Sequence, residues 1–344
     1  MSRLIFCILL FSIQSLSAQN EEGDTLHAIK HKYSSNYRVN YFDKMIFKID
    51  LNSDVDSYTI PNLNKKIKEK NTFVPNQKIK LRFSFDYKFI GLFVSFSPNF
   101  FTSDKSIYGD TKSLDLSFKY FYNDKFRQEV VYKNTIGFYL DDPKEFLPIV
   151  TYPNLEINTL GGKTLYIINN NFSYRSYENM TERQIKNIGS FIPSIAYYFN
   201  TLKTNAIIEN EKTLTKIKTV DILFQYGYMY NFVLSKKWFA TLGVHPGFGL
   251  NKSKSYYFSN GLNQKYIYNS FNMNLNFDAN LALGYNNKNL FSGVKVNYRE
   301  YQYDKAKTIE LINTKLSFDF FIGYRFKENK KLKRNFELFE KKFL

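Results

Sequence analysis

From Phe271 to Tyr285 the chain reads FNMNLNFDANLALGY, and every second residue is apolar. Strand side chains alternate with period two. Phe271, Met273, Leu275, Phe277, Ala279, Leu281, Leu283 and Tyr285 therefore share one face, and Asn272, Asn274, Asn276, Asp278 and Asn280 share the other. Strands of globular proteins are usually about five or six residues long. An alternating run of this length suits a strand that crosses a bilayer in a closed barrel, with an apolar outside and a wet lumen.

The same grammar recurs. Ile79, Leu81, Phe83, Phe85 and Tyr87 oppose Lys80, Arg82, Ser84, Asp86 and Lys88, and Leu114, Leu116, Phe118 and Tyr120 oppose Ser113, Asp115, Ser117 and Lys119. Ile222, Phe224, Tyr226, Tyr228, Tyr230 and Phe232 oppose Asp221, Gln225, Gly227 and Asn231. Val294, Val296 and Tyr298 oppose Lys295, Asn297 and Arg299, and the row from Leu316 to Phe326 opposes Ser317, Asp319, Gly323 and Arg325. One such segment could edge a soluble sandwich; the set predicts an all-β, antiparallel outer-membrane barrel. The chain's 35 Phe and 28 Tyr beside one Trp suit lipid-facing rows and aromatic girdles. No apolar run long enough for a membrane helix follows the N-terminus.

Link lengths give a topology. Short links near 87–88, 123–125, 235–237 and 286–288 alternate with long polar ones at roughly 52–77, 102–111, 141–154, 202–219 and 252–265. Twelve strands fit, at about 37–50, 78–87, 89–100, 112–122, 126–140, 155–168, 190–201, 220–233, 238–251, 267–286, 289–304 and 308–326. Short turns then face the periplasm, with both termini. Residues 169–189 fall where a short turn belongs, and are read as a lumen-facing or periplasmic insertion, with fourteen strands as the alternative.

Residues 1–18 read as a cleaved signal peptide: Arg3, an apolar stretch from Leu4 to Ile13, then Ser15-Leu16-Ser17-Ala18. The alternative, a retained anchor, is disfavoured by the shortness of that stretch. Cys7, the only cysteine, lies inside it, so the mature chain has no thiol and no disulfide. A polar leader follows at 19–36, then the barrel at 37–326 and a basic tail at 327–344. In the tail Leu332, Phe336, Phe339 and Phe343 recur at helical spacing among lysines and Arg334, which reads as a short amphipathic helix or a solvated tail. The net charge of +17 is spread over strands, loops and tail without a nucleic-acid motif, and an exported chain is not expected to bind nucleic acid.

Across the middle of the chain stand Tyr87-Lys88-Phe89-Ile90-Gly91-Leu92, Gly137-Phe138-Tyr139-Leu140 before Tyr152-Pro153-Asn154, and Phe172-Ser173-Tyr174-Arg175. Glu182-Arg183-Gln184 and Gly189-Ser190-Phe191 follow, with weaker echoes at Gly227-Tyr228, Pro246-Gly247 and Gly284-Tyr285-Asn286. With these the chain resembles a Bacteroidota family of outer-membrane β-barrels known only as a domain of unknown function. The resemblance covers about 37–326 and implies export and an outer-membrane barrel, with no activity attached. The basic tail departs from the family pattern.

No catalytic constellation is legible. His245 lacks a signature Ser and acidic orienter, and His27 and His31 lack further metal ligands. No cofactor or metal is expected, and no enzyme. The group Arg175, Glu182, Arg183 and Gln184 reads either as a polar plug or constriction, or as a salt-bridged turn that closes the barrel. Phasing places Lys80, Arg82, Lys119, Lys133, Lys295, Arg299 and Arg325 in the lumen, along with Asp86, Asp115, Glu129, Asp278, Asp319 and Asn272, Asn274 and Asn276. The expected function is a non-enzymatic pore or binder for small polar solutes. The alternatives are a structural or surface-interaction barrel and, behind it, an outer-membrane hydrolase or lipid-modifying enzyme resting on His245. The expected partners are outer-membrane lipid, lipopolysaccharide and the barrel assembly machinery; that machinery recognises a terminal aromatic, and Phe326 ends the last strand but at the wrong distance from the C-terminus.

Overall fold

Twelve alternating segments pair edge to edge until the last returns to the first. In a computed structural model the described residues are 36–343, apart from 54–55, 62–69, 123, 142–148, 210–211, 260–263, 304–309 and 314–315. The expectations for the signal peptide, Cys7, His27 and His31 lie outside them. In chain order the strands begin with β1 (Arg38–Asn40), β2 (Lys44–Asn52), β3 (Asp56–Pro61), β4 (Lys70–Val74), β5 (Lys80–Tyr87), β6 (Ile90–Phe96), β7 (Lys112–Tyr122) and β8 (Phe126–Asp141). They continue with β9 (Thr151–Tyr166), β10 (Glu182–Gln184), β11 (Ile188–Glu209), β12 (Lys212–Val233) and β13 (Trp238–Ser259). The last are β14 (Gln264–Asn286), β15 (Leu290–Tyr303), β16 (Glu310–Asn313) and β17 (Leu316–Lys327). Three helices are α1 (Lys105–Tyr108), α2 (Arg175–Glu178) and α3 (Lys330–Phe343).

The wall runs β2-β5-β6-β7-β8-β9-β11-β12-β13-β14-β15-β17, all antiparallel, and β17 closes on β2 from Asp319↔Asn52 to Lys327↔Lys44. The molecule is thus a closed twelve-strand barrel, and closure leaves no wall edge for another chain to pair with. The insertion at 169–189 adds no wall strand, which removes the fourteen-strand alternative. The short β3, β4 and β16 extend the wall at the end opposite the tight turns, where β4 pairs with β8 beyond the shorter β5–β7.

The alternation has the expected direction. On β14, Leu275 is 66% exposed on the outside while Asn274 is 3% exposed inside. The outward row of β12 is apolar from Ile222 to Phe232. At about 3.3 Å per residue and a tilt near 45°, that row rises roughly 23 Å, close to the apolar band of about 25 Å on outer-membrane barrels. Leu281→Arg, in the outward row of β14, is therefore expected to cost about 2–4 kcal/mol of stability. Urea titration of the folded, heat-modifiable band measures it; a variant as stable as the parent would reverse the assignment of faces.

The sequence reading fails where the grammar inverts. The described parts of 202–219 and 252–265, expected as long polar loops, belong to the upper halves of paired strands β11–β12 and β13–β14. There Lys203, Lys218, Lys252 and Lys254 point outward, and Leu202, Leu214, Ile217 and Tyr257 point inward. Above the membrane band the wall faces water, so its charge moves outside and its apolar residues fill the lumen. Gly137 assists on β8: its φ of 88° shifts the register between Ile136 and Phe138 and turns Phe138 inward. A Cβ there would fall 2.0 Å from the Asp110 carbonyl oxygen. The first wall strand starts at Lys44, not 37, because residues 38–40 pair with β10 inside the barrel.

Candidate functional site

The insertion between β9 and β11 folds back into the lumen from the tight-turn end and stoppers it. Phe172, Tyr177 and Met180 pack on the inward Leu165, Ile192, Met229, Phe239 and Phe321. Pairing of β1 with β10 (Arg38↔Gln184, Asn40↔Glu182) adds the N-terminal segment to the stopper.

Charge fixes the stopper to the wall. Glu182, fully buried, accepts from Arg38 Nη1 at 3.0 Å and Ser173 Oγ at 2.5 Å. Arg175 donates to the Lys88 carbonyl at 2.9 Å, lies 3.6 Å from Asp124, and stacks its guanidinium 4.0 Å from the Phe121 ring centre. Glu178 receives Arg127 through two guanidinium nitrogens and Lys119 at 2.9 Å, while Lys295 donates to its carbonyl oxygen at 3.2 Å. Arg325 is spent on oxygens: the Met180 carbonyl at 2.6 and 3.0 Å, the Asn287 carbonyl at 2.5 Å and Asn286 Oδ1 at 2.7 Å. Asn231 donates to the Ser173 carbonyl at 3.0 Å and to Gln184 Oε1 at 3.3 Å. Such a network is strong while complete and costly when one member is lost.

Burial opposes ionisation of Glu178, but the charges and hydrogen bonds of Arg127 and Lys119 outweigh it and hold the carboxyl well below its usual 4.5. A lowered folded-state pKa contributes stability that is present above the unfolded value and lost as pH falls towards the folded one. The ion pairs of Glu178 with Arg127 and Lys119 are expected to be unchanged from neutral pH to about 5 and to weaken only in stronger acid. The carboxyl resonance of Glu178 reads this by NMR; protonation of that carboxyl between pH 7 and 5 would contradict the assignment.

Above the stopper lies a polar belt. Lys163 donates to Gln225 Oε1 at 2.7 Å, and Gln225 donates to Asn276 at 3.0 Å and Asp278 at 2.9 Å, linking β9, β12 and β14 across the lumen. Asn251 donates to Asp221 at 2.6 Å, and Asn200 donates to the same carboxylate at 3.1 Å. The belt needs Gly249: a Cβ there would meet Asn274 Oδ1 at 2.6 Å. Asn251 Oδ1, Asn272 Nδ2 and Asn274 Nδ2 are buried without a hydrogen-bond partner. A cavity of about 20 Å³ borders Asn200, Asp221 and Asn251. Beyond the belt, Tyr58, Phe73, Phe138, Leu155, Ile157 and Leu214 pack into an apolar cap.

The structure brings Arg175, Glu182 and Gln184 together but not Arg183, which is at the rim and donates to the Lys236 carbonyl at 3.2 Å. Lys295 and Arg325 join the stopper. Asn272, Asn274, Asn276 and Asp278 belong to the belt, with Arg299 3.9 Å from Asp278. His245, expected near the outer end of its strand, is buried in the lower half of the longer β13, its Nδ1 unpartnered. Sequence reasoning missed Arg38, Asp124, Arg127 and Glu178. Arg127 shares the inward parity of Glu129 and Lys133 and was accessible to the same rule; Arg38 was hidden inside a presumed wall strand.

A closed wall with an apolar exterior and a polar, stoppered interior defines an outer-membrane-type β-barrel. Residues 32–326 match the family described as a domain of unknown function (DUF4421), and the chain belongs to that family. No curated protein sequence matches it. Among solved structures it is similar to the outer membrane protease OmpT from Escherichia coli, with 6% identity and a TM-score of 0.38 over 83% of this chain and 96% of that one. It is also similar to Ail, the attachment invasion locus protein of Yersinia pestis, with 10% identity and a TM-score of 0.18 over 82% and 98%. A Pseudomonas aeruginosa FadL homologue gives 8% identity and a TM-score of 0.27 over 83% and 90%. Likenesses this slight carry no functional argument.

Proposed function

We propose that the protein is a non-enzymatic barrel of a Gram-negative outer membrane, of Bacteroidota as the sequence resemblance implies, that binds or passes small polar solutes. The turns then face the periplasm. The observation that supports this reading is the belt: Asn251, Asn272 and Asn274 adjoin on paired strands and keep hydrogen-bonding atoms that no protein group uses. Buried amides in that state cost free energy unless a polar partner visits them. The small cavity at the belt means that anything larger than about one water requires the side chains to move.

Proteoliposomes test the proposal with a panel of sugars, amino acids and short peptides. The expected result is uptake or a thermal shift with at least one solute class, weakened in Asn272→Leu/Asn274→Leu. No flux and no shift with any of them would overturn it.

A second reading, a surface-interaction barrel, is favoured by the upper halves of β11–β14, which project past the apolar band with lysines outward. Trimming those hairpins would then change envelope phenotypes while leaving solute uptake intact.

A further inference from the structure

The tight-turn end is ringed with cations. Lys88 lies between β5 and β6, Lys125 between β7 and β8, Lys186 before β11, Lys236 and Lys237 before β13, and Lys288 before β15. Helix α3 leaves β17 at the same end, with six Lys or Arg against two Glu in its 14 residues.

The position of α3 is decided by Tyr87. This residue belongs to the outward row of β5 with Phe83 and Phe85, yet it is only 2% exposed. The Phe336 ring packs edge-on against it, with centres 4.9 Å apart, and Tyr87 Oη donates to Glu328 at 2.7 Å. Phe336 also meets Phe89 at 5.0 Å. Leu332 and Phe336, one helical turn apart, are half-buried, while Lys330, Lys331, Lys333 and Arg334 are exposed. The helix thus lies against the outside of the wall at the edge of its apolar band, not beneath the lumen. Leu338 is left exposed. An amphipathic, cation-rich helix at that depth occupies the headgroup zone of a bilayer.

We propose that α3 and the lysines of the turns form a docking surface for the anionic headgroups of phospholipids in the leaflet at the turn end. The proposal rests on the membrane-barrel reading. The charge is complementary to an anionic leaflet, whose attraction for cations reaches out about a Debye length, 8–10 Å. Phe336 is spent on the wall, and among the described exposed residues of the helix Lys330, Lys331, Lys333 and Arg334 outnumber the one apolar side chain, Leu338, which favours a lipid headgroup over a protein partner.

A spin label at Asn335→Cys, in the full chain carrying Cys7→Ser, tests this in phosphatidylcholine vesicles with or without phosphatidylglycerol. The expected result is that phosphatidylglycerol slows the label and shields it from a water-soluble relaxation agent. High salt and Lys330→Glu/Lys331→Glu/Arg334→Glu should both abolish the difference. A label indifferent to phosphatidylglycerol, or a difference that survives the triple substitution, overturns the proposal while leaving the barrel reading intact. Failure of the parent chain to give a folded, heat-modifiable band in vesicles would overturn both.

Discussion

Replacing Glu182 by alanine is expected to remove about 3–5 kcal/mol of stability, the cost of taking the nearest carboxylate from a buried guanidinium. Arg38 and Arg175 both face this carboxylate, and neither has access to water there. The substitution also removes the acceptor for Ser173 Oγ. Urea titration of the heat-modifiable band measures the loss. Adding Arg38→Met to Glu182→Ala should recover part of it, because an apolar side chain in a closed pocket is cheaper than a buried guanidinium that has lost its nearest carboxylate. The idea that Glu182 is the electrostatic centre of the stopper does not survive a single variant within about 0.5 kcal/mol of the parent.

The second large effect concerns conductance. Residues 170–186 can be replaced by an Asn-Gly turn, the two-residue link that antiparallel strands favour. Excision alone leaves the apolar cap of Phe73, Phe138 and Leu214, and a dry constriction blocks ions as well as a plug does. The expected outcome in planar bilayers is therefore rare steps for the parent, for the excised form and for Phe138→Ser/Leu214→Ser. Steady, anion-selective conductance should come only when excision and cap substitutions are combined. Selectivity follows from Lys119, Arg127, Lys295 and Arg325, which lose the oxygens of Glu178 and Met180 when the insertion goes. Steady conductance from excision alone would show that the cap is no barrier. Silence of the combined variant would show that the belt itself closes the lumen.

How much of this was legible in the sequence depended on one physical assumption, a single orientation of the wall. Within the apolar band it held: the twelve strands, the outward rows and the inward asparagines of β14 all follow from period two and one lipid-facing side. It failed where β11–β14 leave the membrane, because Lys216 and Lys218 read as loop residues to a rule that expects apolar exteriors. The insertion was located by its length, but its mode of docking was not, since Arg38 and Glu182 are 144 residues apart and no local pattern links them. Arg127 lay within reach of parity. Glu178 did not, because a four-residue helix carries no periodic signal.

The pairing of β1 with β10 has a consequence for assembly. The strand that follows β1 is β2, and β2 forms the seam with β17. The first described residues are thus held inside the lumen by the insertion while the adjoining strand zips the last gap. Stopper and seam are therefore coupled through the short link between Asn40 and Lys44: β2 cannot leave β17 without pulling on the segment in which Glu182 holds Arg38. A three-residue strand thereby ties the closing seam of the wall to the contents of its lumen.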